Sequence, residues 1–196
     1  MQHRFKTTCL DASKLLDGCY KLSTFMNRLN KMASEQQGNG YGWTSDEFKG
    51  DGFEALVEVL INCMSADKRI GIRDYAPWTG KDMGIDGVGT TNEIKARPVT
   101  VQVKYRSDVT SELTTADGIS NFVAMSSTSD EYRDAHMVYF TTAKGINRNI
   151  LEQMYNSKPK VFGFKDIKKF VDNNAVFWDT FRSEMGCPFL KWAVNG

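Results

Sequence analysis

Histidine is almost missing from this chain, with His3 and His136 the two among 196 residues. The four cysteines, Cys9, Cys19, Cys63 and Cys187, show no Cys-x-x-Cys spacing. A structural zinc site is therefore not expected, and the thiols read as reduced, as in a cytoplasmic protein. No run of eighteen apolar residues occurs, and Met-Gln-His-Arg-Phe-Lys at the amino terminus has no apolar stretch behind it. Neither a membrane span nor a signal peptide is expected. A Gly-x-x-x-x-Gly-Lys-Ser/Thr loop is lacking as well, so nothing points to nucleotide hydrolysis. Nor is either charge in excess: 25 Lys and Arg meet 24 Asp and Glu, a net of +1. A polyanionic partner has to be argued from local patches, not from overall charge.

What is present suits one soluble domain with a small appendage, at 41% hydrophobic and 25% charged residues. Residues 8–35 read as one or two helices, broken at Asp17-Gly18, with Leu15, Leu16, Leu22, Phe25, Met26 and Leu29 among the apolar positions. Gln36 to Trp43 is glycine-rich and marks the best boundary, dividing the chain into residues 1–43 and 44–196. A further helix is expected over 52–64, capped by Asp51, with Phe53, Leu56, Val57, Leu60 and Met64 as its stripe. Later segments read as a helix near Ala116 to Met125, a strand from His136 to Thr142 and a helix from Asn147 to Tyr155. A short strand at Val161 to Phe164, a helix from Asp166 to Val171 and an aromatic tail, Trp178 to Trp192, follow. The order is that of an α/β fold.

The most informative stretch runs from Lys81 to Arg106. Val99, Val101, Val103 and Tyr105 alternate with Thr100, Gln102, Lys104 and Arg106, the period of a half-buried strand. One face then packs and the other, with Gln102 and Lys104, is free for chemistry. Gly84 and Gly87 bracket Ile85-Asp86, and glycines around an acidic residue suit close backbone approach to a ligand. Thr90 to Pro98 is long enough for a hairpin loop. Antiparallel pairing brings Asp86, Gln102 and Lys104 to one end of the sheet: a carboxylate, an amide oxygen and a cation.

Asp86 followed by Gln102-Val103-Lys104 resembles the core of the PD-(D/E)XK nuclease superfamily, in the Gln-x-Lys form of Mrr-like restriction endonucleases. Gly-Phe-Glu-Ala-Leu-Val-Glu-Val-Leu at residues 52–60 is similar to that family's helix with a further acidic residue, here Glu54. Val138-Tyr139-Phe140-Thr141-Thr142 looks like the next core strand. The resemblance covers roughly Phe48 to Phe170. It implies a restriction-endonuclease-like core in residues 44–196, a central mixed sheet flanked by helices. It also implies a DNA endonuclease that hydrolyses phosphodiester bonds with Mg2+, for which Mn2+ can substitute. Asp86 would be the main metal ligand and Glu54 a direct or water-mediated one, with the Gln102 amide oxygen and Val103 carbonyl completing the set. Lys104 would orient the attacking water and stabilise negative charge. Gln102 in place of a carboxylate should weaken metal affinity. Relatives of this kind often act as homodimers or beside a helicase or translocase.

Other readings stand beside these. Glu54 follows Asp51 at the spacing of a capping box, and Glu58, one turn on, is an alternative acidic ligand. Asp86 also suits a plain turn. Lysines and arginines are in excess between Thr141 and Phe170, so Thr142, Lys144 and Arg148 are candidate phosphate contacts, against a merely solvated face. Tyr105 and Arg106, beside the motif, are better placed to touch DNA. A lone histidine at a strand start, His136, reads as structural. A catalytically degenerate DNA-binding or assembly module of the same fold, or a junction resolvase, remains as an alternative function.

Overall fold

The computed structural model describes residues 9–37, 44–79, 84–154 and 158–186. Its centre is a five-stranded mixed sheet, in spatial order β1 (Ile72–Pro77), β2 (Gly87–Thr91), β3 (Pro98–Lys104), β5 (His136–Thr141) and β7 (Lys160–Phe162). The first three strands are antiparallel, and β3, β5 and β7 are parallel. Parallel neighbours need crossovers, which α4 (Ile119–Thr128) and α5 (Arg148–Gln153) supply. A small parallel pair, β4 (Glu112–Leu113) with β6 (Gly145–Ile146), lies apart from the main sheet. The expected α/β architecture, a central mixed sheet flanked by helices, is the one observed.

One face of the sheet is covered by α3 (Ser45–Cys63), which buries Phe53, Leu56, Val57 and Leu60 in the same core as Val99, Val101 and Val103. This helix starts two turns earlier than the apolar stripe suggests. Thr44 caps it: the Glu47 N–H donates to the Thr44 hydroxyl at 3.1 Å, and the Thr44 N–H donates to the Glu47 carboxylate at 2.8 Å. That reciprocal pair is a capping box, so Asp51 and Glu54 sit in the helix interior and the end-capping account of Glu54 falls away.

Against α3 pack α2 (Leu22–Gln37) and α7 (Ala175–Glu184), with α1 (Cys9–Leu16) laid on α2 and α7, while α6 (Phe164–Val171) sits beside β7 and α2. Phe25 meets Trp178 and Phe181 ring to ring, and the Trp178 indole N–H donates to the Val171 carbonyl at 2.7 Å. Each of these fully buried rings contributes on the order of 1.5–3 kcal/mol. Helices on either side of the glycine-rich segment thus share one core with the sheet. Residues 38–43 and Trp192 lie outside the described residues.

The opposite face is not free, which corrects the expectation of an open surface. Ile119, Phe122 and Ser126 of α4 cover it, and the Thr100 and Ser126 hydroxyls bond at 2.9 Å in the interior. Tyr139 of β5 packs edge-on against Phe122 in the same layer. Past the buried run Val99 to Val101, β3 emerges from cover on this face at Gln102 and Lys104.

Strand β1 had no counterpart in the sequence reading. A bulge between Arg73 and Ala76, with Asp74 at φ 55°, brings Ile72 and Tyr75 inward although they are three residues apart. The inward period becomes three, and the alternation that marks a strand is lost. Cys19 and Cys63 are free, and burial pushes both thiols above their ordinary pKa, which leaves them protonated and unreactive. Among the described residues no helix is long and apolar enough to cross a membrane.

Candidate active site

Where the amino-terminal half of α3 passes the carboxyl end of β3, a cleft of about 620 Å³ opens, and Glu54, Asp86, Gln102, Val103 and Lys104 all line it. Asp86 precedes β2 and is held by the backbone on both sides. Its N–H donates to the Val101 carbonyl, and its carbonyl accepts from the Trp78 N–H, each at 2.8 Å. Beyond that point the ladder between β2 and β3 gives way to a side chain. The Val103 N–H donates to Asp86 Oδ2 at 2.6 Å, and the Gln102 amide nitrogen donates to the same oxygen. Two donors on one oxygen fix how the carboxylate is turned.

The helix contributes the second carboxylate. Glu54 lines the cleft, whereas Glu58, one turn on, is only 1% exposed and does not; of the two acidic candidates, Glu54 is the one that faces the site. Nearby on β1 is Tyr75, whose phenol is raised well above its ordinary pKa by burial and by the charges of Asp86, Glu54 and Glu58. It stays protonated. The field that Asp86 exerts on Tyr139 likewise adds to burial in raising that phenol.

The two bracketing glycines have different reasons. A Cβ at Gly87 would run into the Tyr75 ring and hydroxyl, so the close approach there is to protein, which corrects the expectation of an approach to a ligand. Gly84 has φ +72°, and a Cβ on it would come within 2.9 Å of the Asn121 amide nitrogen and 3.5 Å of the Gln102 amide oxygen. This one does keep the cleft open.

The sequence-derived DNA contacts divide sharply. Arg106 lines the cleft, bonded to Asp117. Tyr105 borders it too but is only 8% exposed; its ring meets Phe53 and its hydroxyl donates to Asn30 at 3.0 Å. Burial pushes that phenol up to about 12. The alternation with Val99, Val101 and Val103 already put Tyr105 on the packed face, and that placement leaves little of it for DNA. Thr142 is buried, its hydroxyl accepting from the Arg106 N–H at 2.6 Å and donating to the Arg106 carbonyl at 2.7 Å. It ties the end of β5 to the end of β3. Lys144 pairs with Glu112 and Arg148 with Glu152, both outside the cleft.

Residues that the sequence reading missed complete the walls: Asp46, Lys49 and Gly50 from α3, and Asp117, Gly118 and Asn121 opposite. Thr44-x-x-Glu47 was the available signal for the first group, because a helix beginning at Ser45 carries Asp46, Lys49 and Glu54 along one side.

One comparison with known proteins places the chain in a family. A family model for restriction endonucleases, of the Mrr catalytic type, matches residues 70–183. The chain belongs to that family, and so to the PD-(D/E)XK superfamily of nucleases. No curated protein and no solved structure matches it. Asp86, Gln102 and Lys104 fall inside the matched segment, whereas Asp46, Lys49 and Glu54 precede it.

Nucleases of this kind typically use divalent metals. Among the described residues no group of three carboxylate, imidazole or thiol side chains converges as a metal site. Of the four carboxylates in the lining, Asp46 and Asp117 are paired with Lys49 and Arg106, which leaves Glu54 and Asp86 beside the amide oxygen of Gln102 and the carbonyl of Val103. An all-oxygen set with one or two carboxylates fits magnesium, which keeps several waters and takes substrate phosphates as ligands; it does not fit zinc.

Proposed function

We propose that the protein is a metal-dependent DNA endonuclease whose site is Glu54, Asp86, Gln102 and Lys104. The observation that carries this reading is the lock on Asp86, whose carboxylate is fixed by the very residues, Gln102 and Val103, that precede Lys104. Asp86, Glu54, the Gln102 amide oxygen and the Val103 carbonyl would hold Mg2+, with Mn2+ as a substitute. When bound, the ion supplies Lewis-acid neutralisation of charge on the phosphoryl group. The ammonium of Lys104 orients the attacking water by a hydrogen bond and stabilises negative charge as it grows on the phosphoryl oxygens. Gln102 restrains Asp86 without adding a third negative charge, which favours weak metal binding.

Supercoiled plasmid incubated with Mg2+ or Mn2+ tests the reading. Metal-dependent nicking is expected from the native protein, with rates lower by about 10²–10³-fold or more in Asp86→Ala and Lys104→Ala. Absent cleavage with intact DNA binding would instead identify a non-catalytic module, and preference for four-way junctions a resolvase.

A further inference from the structure

Two cations line the outer walls of the cleft, and each is held by a carboxylate that also lines it. The two pairs are unlike. On one wall Arg106 bonds to Asp117, whose side chain is 11% exposed and also accepts from the Thr114 N–H at 2.6 Å. That acid is built into the wall. On the other wall the Lys49 ammonium lies 2.7 Å from Asp46, and here the exposures are reversed: 15% for the lysine side chain and 92% for the aspartate. The stem of Lys49 is packed, with its ammonium 6.0 Å from the centre of the Tyr105 ring, while its counter-ion lies over it from the solvent side.

We propose that the mouth of the cleft is a binding subsite for a DNA backbone phosphodiester, formed by Lys49, Lys104 and Arg106, and that the Asp46 carboxylate occupies it until DNA displaces it. The fields around Asp46 agree with that placement. Its carboxyl is held below the usual range by the Lys49 hydrogen bond and charge first, and by Arg106 and Lys104 as well. Cations from both walls and from the motif strand therefore act on one exposed anion. A phosphodiester carries the same single charge, and an exposed carboxylate pair is a weak competitor for it, while neutralising a phosphate releases counterions from the duplex. Asp46 also keeps the ammonium poised at the mouth. The identity of the anion rests on the nuclease reading; the subsite itself does not require cleavage.

Binding of a fluorescein-labelled duplex oligonucleotide in EDTA, followed by anisotropy across a salt series, tests this without any catalytic readout. Asp46→Asn should bind about five- to tenfold more tightly than the native protein at low salt. Glu184→Gln, an equal charge change at the end of α7 and beside Cys63, which lies about 25 Å from Asp46 along α3, should stay within about twofold. Lys49→Met, which keeps the packed stem, should weaken binding about tenfold and reduce the salt slope by about one. Thermal melts of the three variants confirm that each is folded. Asp46→Asn no tighter than Glu184→Gln, or Lys49→Met binding like the native protein, overturns the subsite. Binding in the expected order without any cleavage overturns the nuclease reading and leaves the subsite standing.

Discussion

The helices before residue 64 and the sheet region from residue 70 to 183 meet at the same cleft but bring different things to it. The sheet region matches the family model and holds Asp86, Gln102 and Lys104 through backbone and side-chain bonds at the end of a ladder. The helical region lies before the match, yet α3 brings Glu54, Lys49 and Asp46, and α2 reaches the rim through Asn30. Motif residues can be fixed by strand register alone, because a one-residue slip would turn each to the other face. Wall residues depend on where a helix begins and how it lies across the sheet, and they need not resemble the family to serve it.

The largest expected effect comes from separating the two regions. A fragment of residues 70–183 alone would expose Val99, Val101 and Val103, which α3 covers. It should show no cooperative thermal transition by circular dichroism, whereas the whole chain should melt as one unit. A fragment that melts cooperatively would show the helices to be an appendage.

A smaller effect sharpens the contrast with one atom type added in each region. Gly87→Ala drives a methyl into Tyr75 and should cost about 1–3 kcal/mol. Gly50 lies within α3 with nothing near the position of a Cβ, so Gly50→Ala should stabilise by about 0.5–1 kcal/mol. Opposite shifts in denaturation midpoint are the check. Equal signs would mean that the two glycines answer to the same constraint.

The smallest effect belongs to the sheet alone. His136 is held below its ordinary pKa of 6.5 by burial first and then by the charges of Lys160 and Arg97. Near and below 6.5 the unfolded chain takes up a proton that the folded chain refuses, so this stability is full at higher pH and declines as pH falls toward the depressed folded value. Melts between about pH 7.5 and 5.5 should show that decline, and His136→Gln should flatten it.

Much of the sheet region and the break between the first two helices were legible, and the reasons are local. Val99 to Lys104 alternates cleanly, α1 and α2 separate at Gly18, which has φ 59°, and the strand containing Val138 reads as apolar because both its faces are covered. Strand β1 was not legible, since its bulge replaces a period of two by three. The first two turns of α3 carry Gly50 and Gly52 among polar residues and fall outside the helix that the apolar stripe predicts, although Thr44 and Glu47 announced it. Exposure along β3 could not be read either: whether Thr100 faces water or Ser126 depends on where the crossover helix lies. The partners that withdraw Thr142 and Lys144 from the cleft, Arg106 and Glu112, stand more than thirty residues away in the chain, beyond the reach of a local pattern.

Asn30 links the regions through a single oxygen. It accepts from the Tyr105 hydroxyl at 3.0 Å and from the Ser107 hydroxyl at 3.1 Å, so both of the amide oxygen's lone pairs are used on the segment that follows Lys104. In terms of motion, fraying of α2 as far as Asn30 and loosening of the cleft rim are one event and not two. A disturbance on the outer helical layer arrives one residue from the lysine without passing through the sheet.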